Sequence, residues 1–133
     1  MILGAVLAEL LTAAAATGVR TPPRLGDRPA GAPMAIVELP ASILFDRGGR
    51  FDRYPDVRLV VMCGPPTAPA SWRALTPFAD GAGPQSVKAA VDGYAYTSCS
   101  TVRVASAEPD VVTFDGVDQL ALVFHIDVTG GRT

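Results

Sequence analysis

The chain is poor in the side chains that carry most enzyme chemistry. It has one histidine, His125, one lysine, Lys88, and two cysteines, Cys63 and Cys99. Two cysteines are too few for a disulfide scaffold. Cys63 lies in an apolar run and reads as a buried thiol. Cys99 lies in Thr97-Ser98-Cys99-Ser100 and reads as the more exposed of the two. Pairing between them stays open, although a reducing compartment would disfavour it. A zinc site needs Cys and His at short spacing, and neither a CxxC nor an HxxxH is present. A Cys/His hydrolase needs a thiolate, a base and an orienting group brought together by the fold. His125 sits mid-strand and reads as an ordinary strand histidine on a half-covered face. The glutamates Glu9, Glu38 and Glu108 stand at helical spacing from no other acid, so no glycosidase-type pair is evident. Gly81-Ala82-Gly83-Pro84-Gln85-Ser86 lacks the Lys-Ser/Thr pair of a phosphate loop, and Pro84 removes an N–H from the cradle, so it reads as a helix-entry loop.

Charge is scarce too. Charged residues make up 18% of the chain, below the roughly one quarter usual for soluble domains. The net charge of −2 gives no basic stripe of the kind nucleic-acid binders carry. Long apolar runs are also missing. A membrane-spanning helix needs ~20 consecutive apolar residues. The best stretch, Ile2 to Ala16, is shorter and contains Glu9. Ala14-Ala15-Ala16 resembles a signal-peptide cleavage site, but no Lys or Arg precedes Arg20, and a signal needs a basic n-region. No membrane association is expected, and secretion with residues 1–16 removed is a minor alternative.

What is present is apolar surface in excess. Hydrophobic residues are 49% of the 133 positions, and mean hydropathy is +0.30. One domain of this length buries roughly two thirds of its surface. The surplus therefore points to patches covered by partners.

The periodicity predicts a helix over 2–17, with Leu3, Val6, Leu7, Leu10 and Ala14 on one face and Gly18 as its stop. Val19 to Thr21 can begin a short strand, cut off by Pro22-Pro23. Residues 22–33 hold four prolines and two glycines and read as a surface loop long enough to suggest a function. Met34 to Leu39 reads as a strand, and Ile43 to Phe45 as a short extended piece. Gly48-Gly49 suits a hairpin turn. Val57 to Cys63 is nearly all apolar, which predicts a central strand buried on both faces. A helix is expected over 68–79, with Trp72, Leu75 and Phe78 sharing a face and Pro77 forcing a kink or a stop near Leu75. A second runs from Ser86 to Asp92. In the last third, Thr101 to Ala105 reads as a strand and Glu108-Pro109-Asp110 as a turn. Val111 to Phe114 and Val117 to Val128 flank Asp115-Gly116, a hairpin signal. Leu120, Leu122, Phe124, Ile126 and Val128 share one face of the last strand. The whole reads as a single α+β domain over 1–133, a mostly antiparallel sheet with an N-terminal helix and two short central helices packed on it.

Two loops are candidate contact surfaces, 22–33 and 46–56. In the second, Asp and Arg alternate with Phe51 and Tyr54, so charge cancels locally, and Arg and aromatic residues are enriched at interfaces. The candidate interface residues are Arg24, Arg28, Arg47, Arg50, Phe51, Arg53 and Tyr54.

The order of these segments resembles a known family. A short apolar helix leads through a Pro/Gly loop to Met34-Ala35-Ile36-Val37-Glu38-Leu39-Pro40. A charged hairpin precedes Val57-Arg58-Leu59-Val60-Val61-Met62-Cys63-Gly64. Trp72-Arg73-Ala74-Leu75 leads to Gly83-Pro84-Gln85-Ser86-Val87-Lys88-Ala89-Ala90-Val91, and Leu120-Ala121-Leu122-Val123-Phe124-His125-Ile126-Asp127-Val128 closes the chain. The pattern resembles the tail terminator and minor tail proteins of long-tailed, siphovirus-type phages of actinobacteria. The resemblance implies a structural virion protein of the head-proximal tail, assembled in the host cytoplasm, with no catalytic residue and no cofactor. It implies a homohexameric ring that caps the tail tube protein, stops its polymerisation and presents a surface to a head-completion or stopper protein. DNA would pass the lumen without specific binding, helped by an acidic lining. The alternatives are a stopper protein itself, or a small enzyme or ligand-binding α+β domain that uses Cys99 and His125.

Overall fold

In a computed structural model the described residues are 1–27, 31–46 and 52–130. The N-terminal helix α1 spans Leu3–Ala15 and buries Val6, Leu7, Leu10, Leu11, Ala13 and Ala14, the stripe that the 3–4 residue spacing dictates. The strand expected at 19–21 shrinks to one parallel bridge, Arg20 to Met34. Strand β1 (Met34–Val37) pairs antiparallel with β2 (Arg53–Met62), and β2 pairs antiparallel with the last strand.

Helix α2 (Pro69–Leu75) carries its proline in the first turn and ends at Leu75. A 3-10 turn over Thr76–Ala79 follows. Pro77 has no N–H for the α-helical ladder, so the stop falls where its ring dictates. Leu75 and Phe78 are buried, but Trp72 is 58% exposed, contrary to the shared face expected from spacing. In a 3-10 turn residues i and i+3 eclipse, so Phe78 follows Leu75 inward. Trp72 lies on the α-helical part, rotated outward, and its Nε1 donates to Pro66 O at 2.8 Å. Helix α3 (Val87–Gly93) is capped by Ser86, whose Oγ accepts from Ala89 N. That same hydroxyl donates to Asp80 O at 2.6 Å.

Strand β3 (Thr101–Phe114) and strand β4 (Val117–Thr129) form one long hairpin. The turn expected at 108–110 is absent. Pro109 pairs in register with Leu122 inside an unbroken β3. The sheet order is β1-β2-β4-β3, so β3 is an edge strand, where a residue without an N–H is tolerated. The real turn is Asp115-Gly116, both with positive φ, 61° and 77°, the geometry of a two-residue hairpin loop that follows sheet twist.

The sheet has two unlike faces. On one, Leu59 and Val61 of β2 and Leu120, Leu122, Phe124, Ile126 and Val128 of β4 join buried residues of all three helices in the main core. On the other, Met34, Val60, Met62, Ala121 and Val123 form a second buried cluster. Val112 and Phe114 of the hairpin tip pack against it. β2 is thus buried on both faces, as its continuous apolarity requires. The architecture is α+β, an antiparallel four-stranded sheet with its helices on one side. Among the described residues no helix is long and apolar enough to cross a membrane.

Candidate functional site

Regular pairing of β1 ends at Val37, short of the Leu39 expected, and the chain then runs along the outer edge of β2 as an irregular ribbon. Glu38 N donates to Arg58 O at 2.8 Å, Ala41 N to Pro55 O at 3.2 Å, and Leu44 and Arg53 exchange two bonds of 2.9 Å. Backbone groups facing β2 are thereby satisfied, while the side chains are left without cover. Leu39 is 70% and Phe45 82% exposed, and Ile43 and Leu44 are also exposed. Four large apolar side chains exposed within seven positions along one sheet edge form a candidate interaction surface. The sequence foreshadowed this ribbon only as an extended piece at 43–45. The signal was the apolar run Ile43-Leu44-Phe45.

The residues expected at an interface divide into three groups. Arg24 and Arg53 are exposed, Arg53 directly opposite Leu44 on the ribbon. Arg28, Arg47, Arg50 and Phe51 lie outside the described residues, as does the Gly48-Gly49 turn. Tyr54 is buried at 4% exposure in the main core, so its ring is not part of the free surface. A β-bulge explains this. Tyr54 faces Val128 and Val57 faces Ile126, so two β2 residues oppose one on β4. The extra residue shifts the alternation and brings Tyr54 onto the same side as Val57. Burial and the nearby Asp52 charge both raise the Tyr54 hydroxyl's pKa.

The cysteines are on the helix side of the sheet. Cys63 is buried, and burial pushes its thiol up to about 11, which suits an inert core thiol. Cys99 is 1% exposed, contrary to its polar surroundings in sequence. Its loop is fastened from outside. The Glu9 carboxylate on α1 accepts from Thr97 N at 3.1 Å and Ser98 N at 2.7 Å, and Ser100 N donates to Thr129 O. Burial raises the Glu9 pKa, but the bonds from Ser98 and Thr97 outweigh it and leave it lowered. No disulfide joins the two cysteines.

His125 lies on the opposite side of the sheet. Its register partners on β2 and β3, Arg58 and Ser106, share the side of Val60 and Val123, away from both cysteines. The fold therefore separates by a sheet the residues that a Cys/His reading would need together. Among the described residues no group of three or more His, Cys, Asp and Glu side chains is arranged to hold a metal ion. A cavity of about 250 Å³ opens between Leu11, Pro22, Leu25, Ile36, Val37 and Phe114. It places the start of the 22–33 loop against α1, β1 and the hairpin tip. Comparison with family models, curated proteins and solved structures finds no match.

Proposed function

We propose that this chain is a structural subunit that completes itself by assembling with copies of itself, and that it acts as a ring-forming tail terminator of a long-tailed phage. The observation that carries the reading is the uncovered apolar ribbon, with Leu39, Ile43, Leu44 and Phe45 on one sheet edge. At the far edge, β3 runs for 14 residues, and no further strand of the described residues pairs with its outer side. Two different edges on one molecule suit head-to-tail contacts, and such contacts close into a ring when the rotation between copies allows it. The sequence resemblance supplies the role of that ring: to cap the tail tube protein, stop its growth and receive a head-completion or stopper protein. No cofactor enters this reading, and DNA passes through the lumen.

Electron microscopy of particles made without this chain tests the role. A terminator predicts tails of uncontrolled length that are not joined to capsids. Tails of regulated length left unattached to heads would refute it and favour a stopper.

A further inference from the structure

His125 is the sole histidine of the chain, and its ring is held at both nitrogens. Nδ1 lies 2.5 Å from Asp56 Oδ1, and Nε2 lies 2.9 Å from Glu108 Oε1. The three residues come from three adjacent strands: Asp56 from β2, His125 from β4 and Glu108 from β3. Both neighbours of β4 are bulged at this level, β2 between Tyr54 and Val57 and β3 between Val104 and Ser106. Asp56 occupies the β2 bulge with a φ of 54°, a conformation that turns its carboxylate over the sheet. Glu108 reaches His125 as a diagonal neighbour.

An ionised carboxylate only accepts hydrogen bonds, and a neutral imidazole donates only one. Two carboxylates on two ring nitrogens therefore call for two N–H groups, that is, for an imidazolium. The remaining charged neighbours are two arginines and one acid, so it is the two carboxylates on the ring that hold it as a cation. Arg58, the register partner of His125 on β2, has its Nε 3.6 Å from Asp56 Oδ2, so that carboxylate is shared between the two. Asp127 Oδ1 accepts from Asp56 N at 3.3 Å, and Arg103 is in register with Asp127.

We propose that His125 is a proton-dependent clasp that ties the edge strand β3 to β2 across β4. With both nitrogens protonated it spans the two carboxylates. When the ring loses a proton, one nitrogen becomes a lone pair facing a carboxylate, that bond is lost, and β3 loosens beyond its bulge. The hydrogen bond to Asp56, then that to Glu108, raises the His125 pKa above its ordinary value, and the bond to His125 is the main cause that lowers Asp56. The signs define a window. The histidine contribution is fully present below its unfolded pKa of about 6.5 and is lost as pH rises through the raised folded value. The Asp56 contribution is present above the ordinary carboxylate range and is lost as pH falls through the lowered folded value.

Nitrogen NMR of the single imidazole in the intact chain tests the clasp. The expected titration shows the ring nitrogens protonated together up to a pH above the pKa of a free imidazole. The transition should lie above about 6.5, and D56N and E108Q should each move it down, D56N further. Amide exchange over 105–110 should quicken through the same transition beyond the intrinsic pH effect. H125Q, whose amide does not titrate in this range, should remove that step. A transition at or below about 6.5, a transition unmoved by either carboxamide, or a step that survives in H125Q would each overturn the proposal.

Discussion

Glu9 binds the 97–98 loop to α1, and so keeps Cys99 inside. Its carboxylate serves two backbone N–H groups and the Thr97 hydroxyl. Hydrogen bonds to a charged group contribute more than neutral ones, and Gln at this position keeps one oxygen acceptor but no charge. E9Q is expected to lower stability by about 1 kcal/mol at neutral pH. Because the folded Glu9 pKa is lowered, the contribution is present above the unfolded value and lost as pH falls through the folded one. Denaturant titrations of wild type and E9Q should therefore converge in acid; a constant gap would contradict the account. In the main core, F124A should cost about 3–5 kcal/mol, read as a lower urea midpoint. The burial of Leu7, Leu10, Phe124 and Ile126 was legible in the spacing alone. The burial of Cys99 and Tyr54 was not. Cys99 is held by a residue some 90 positions away in the chain, and Tyr54 is turned inward by a bulge that no period-2 reading contains.

At the level of elements, the sequence announced most boundaries through residues with one dominant backbone effect. Pro77 ends α2, Ser86 caps α3 and Asp115-Gly116 turns the hairpin. It misled at Pro109, because a proline looks like a break unless the strand is known to be an edge, and edge position is a property of the sheet rather than of the segment. Two glycines here carry specific demands. Gly116 has φ 77°, where an L side chain costs about 1–2 kcal/mol, so G116A should lower the unfolding free energy from urea titration by that amount. Gly130 has φ 114°, and a Cβ there would run into the Ser100 side chain and come within 2.6 Å of its backbone N. G130A should therefore be the more damaging of the two and should loosen the junction of β3 with the end of β4. Equal midpoints for G116A and G130A would argue against this ranking.

For the molecule as a whole, the sheet solves its burial problem on both faces and leaves it unsolved at one edge. Helices close one face, and the hairpin tip, through Val112 and Phe114, closes the apolar half of the other. That edge is the ribbon 39–45, where Leu39, Ile43, Leu44 and Phe45 stay exposed. Composition foretold this surplus, since few charges and high hydropathy require uncovered apolar surface, but it did not say where. In 46–56 Arg and aromatic residues carry the interface signal of the sequence, whereas the described apolar exposure lies just before it. Replacing Leu39 or Phe45 with Glu should leave the monomer fold intact, because neither side chain is packed. Circular dichroism and the urea midpoint should stay within about 0.5 kcal/mol of wild type, while association between copies is lost.

Sedimentation velocity of the purified chain over a wide concentration range tests the central claim most directly. The account predicts a discrete closed assembly of several copies, six if the family resemblance holds, that falls to a folded monomer in F45E. A wild-type chain that remains monomeric at the highest concentrations would contradict it.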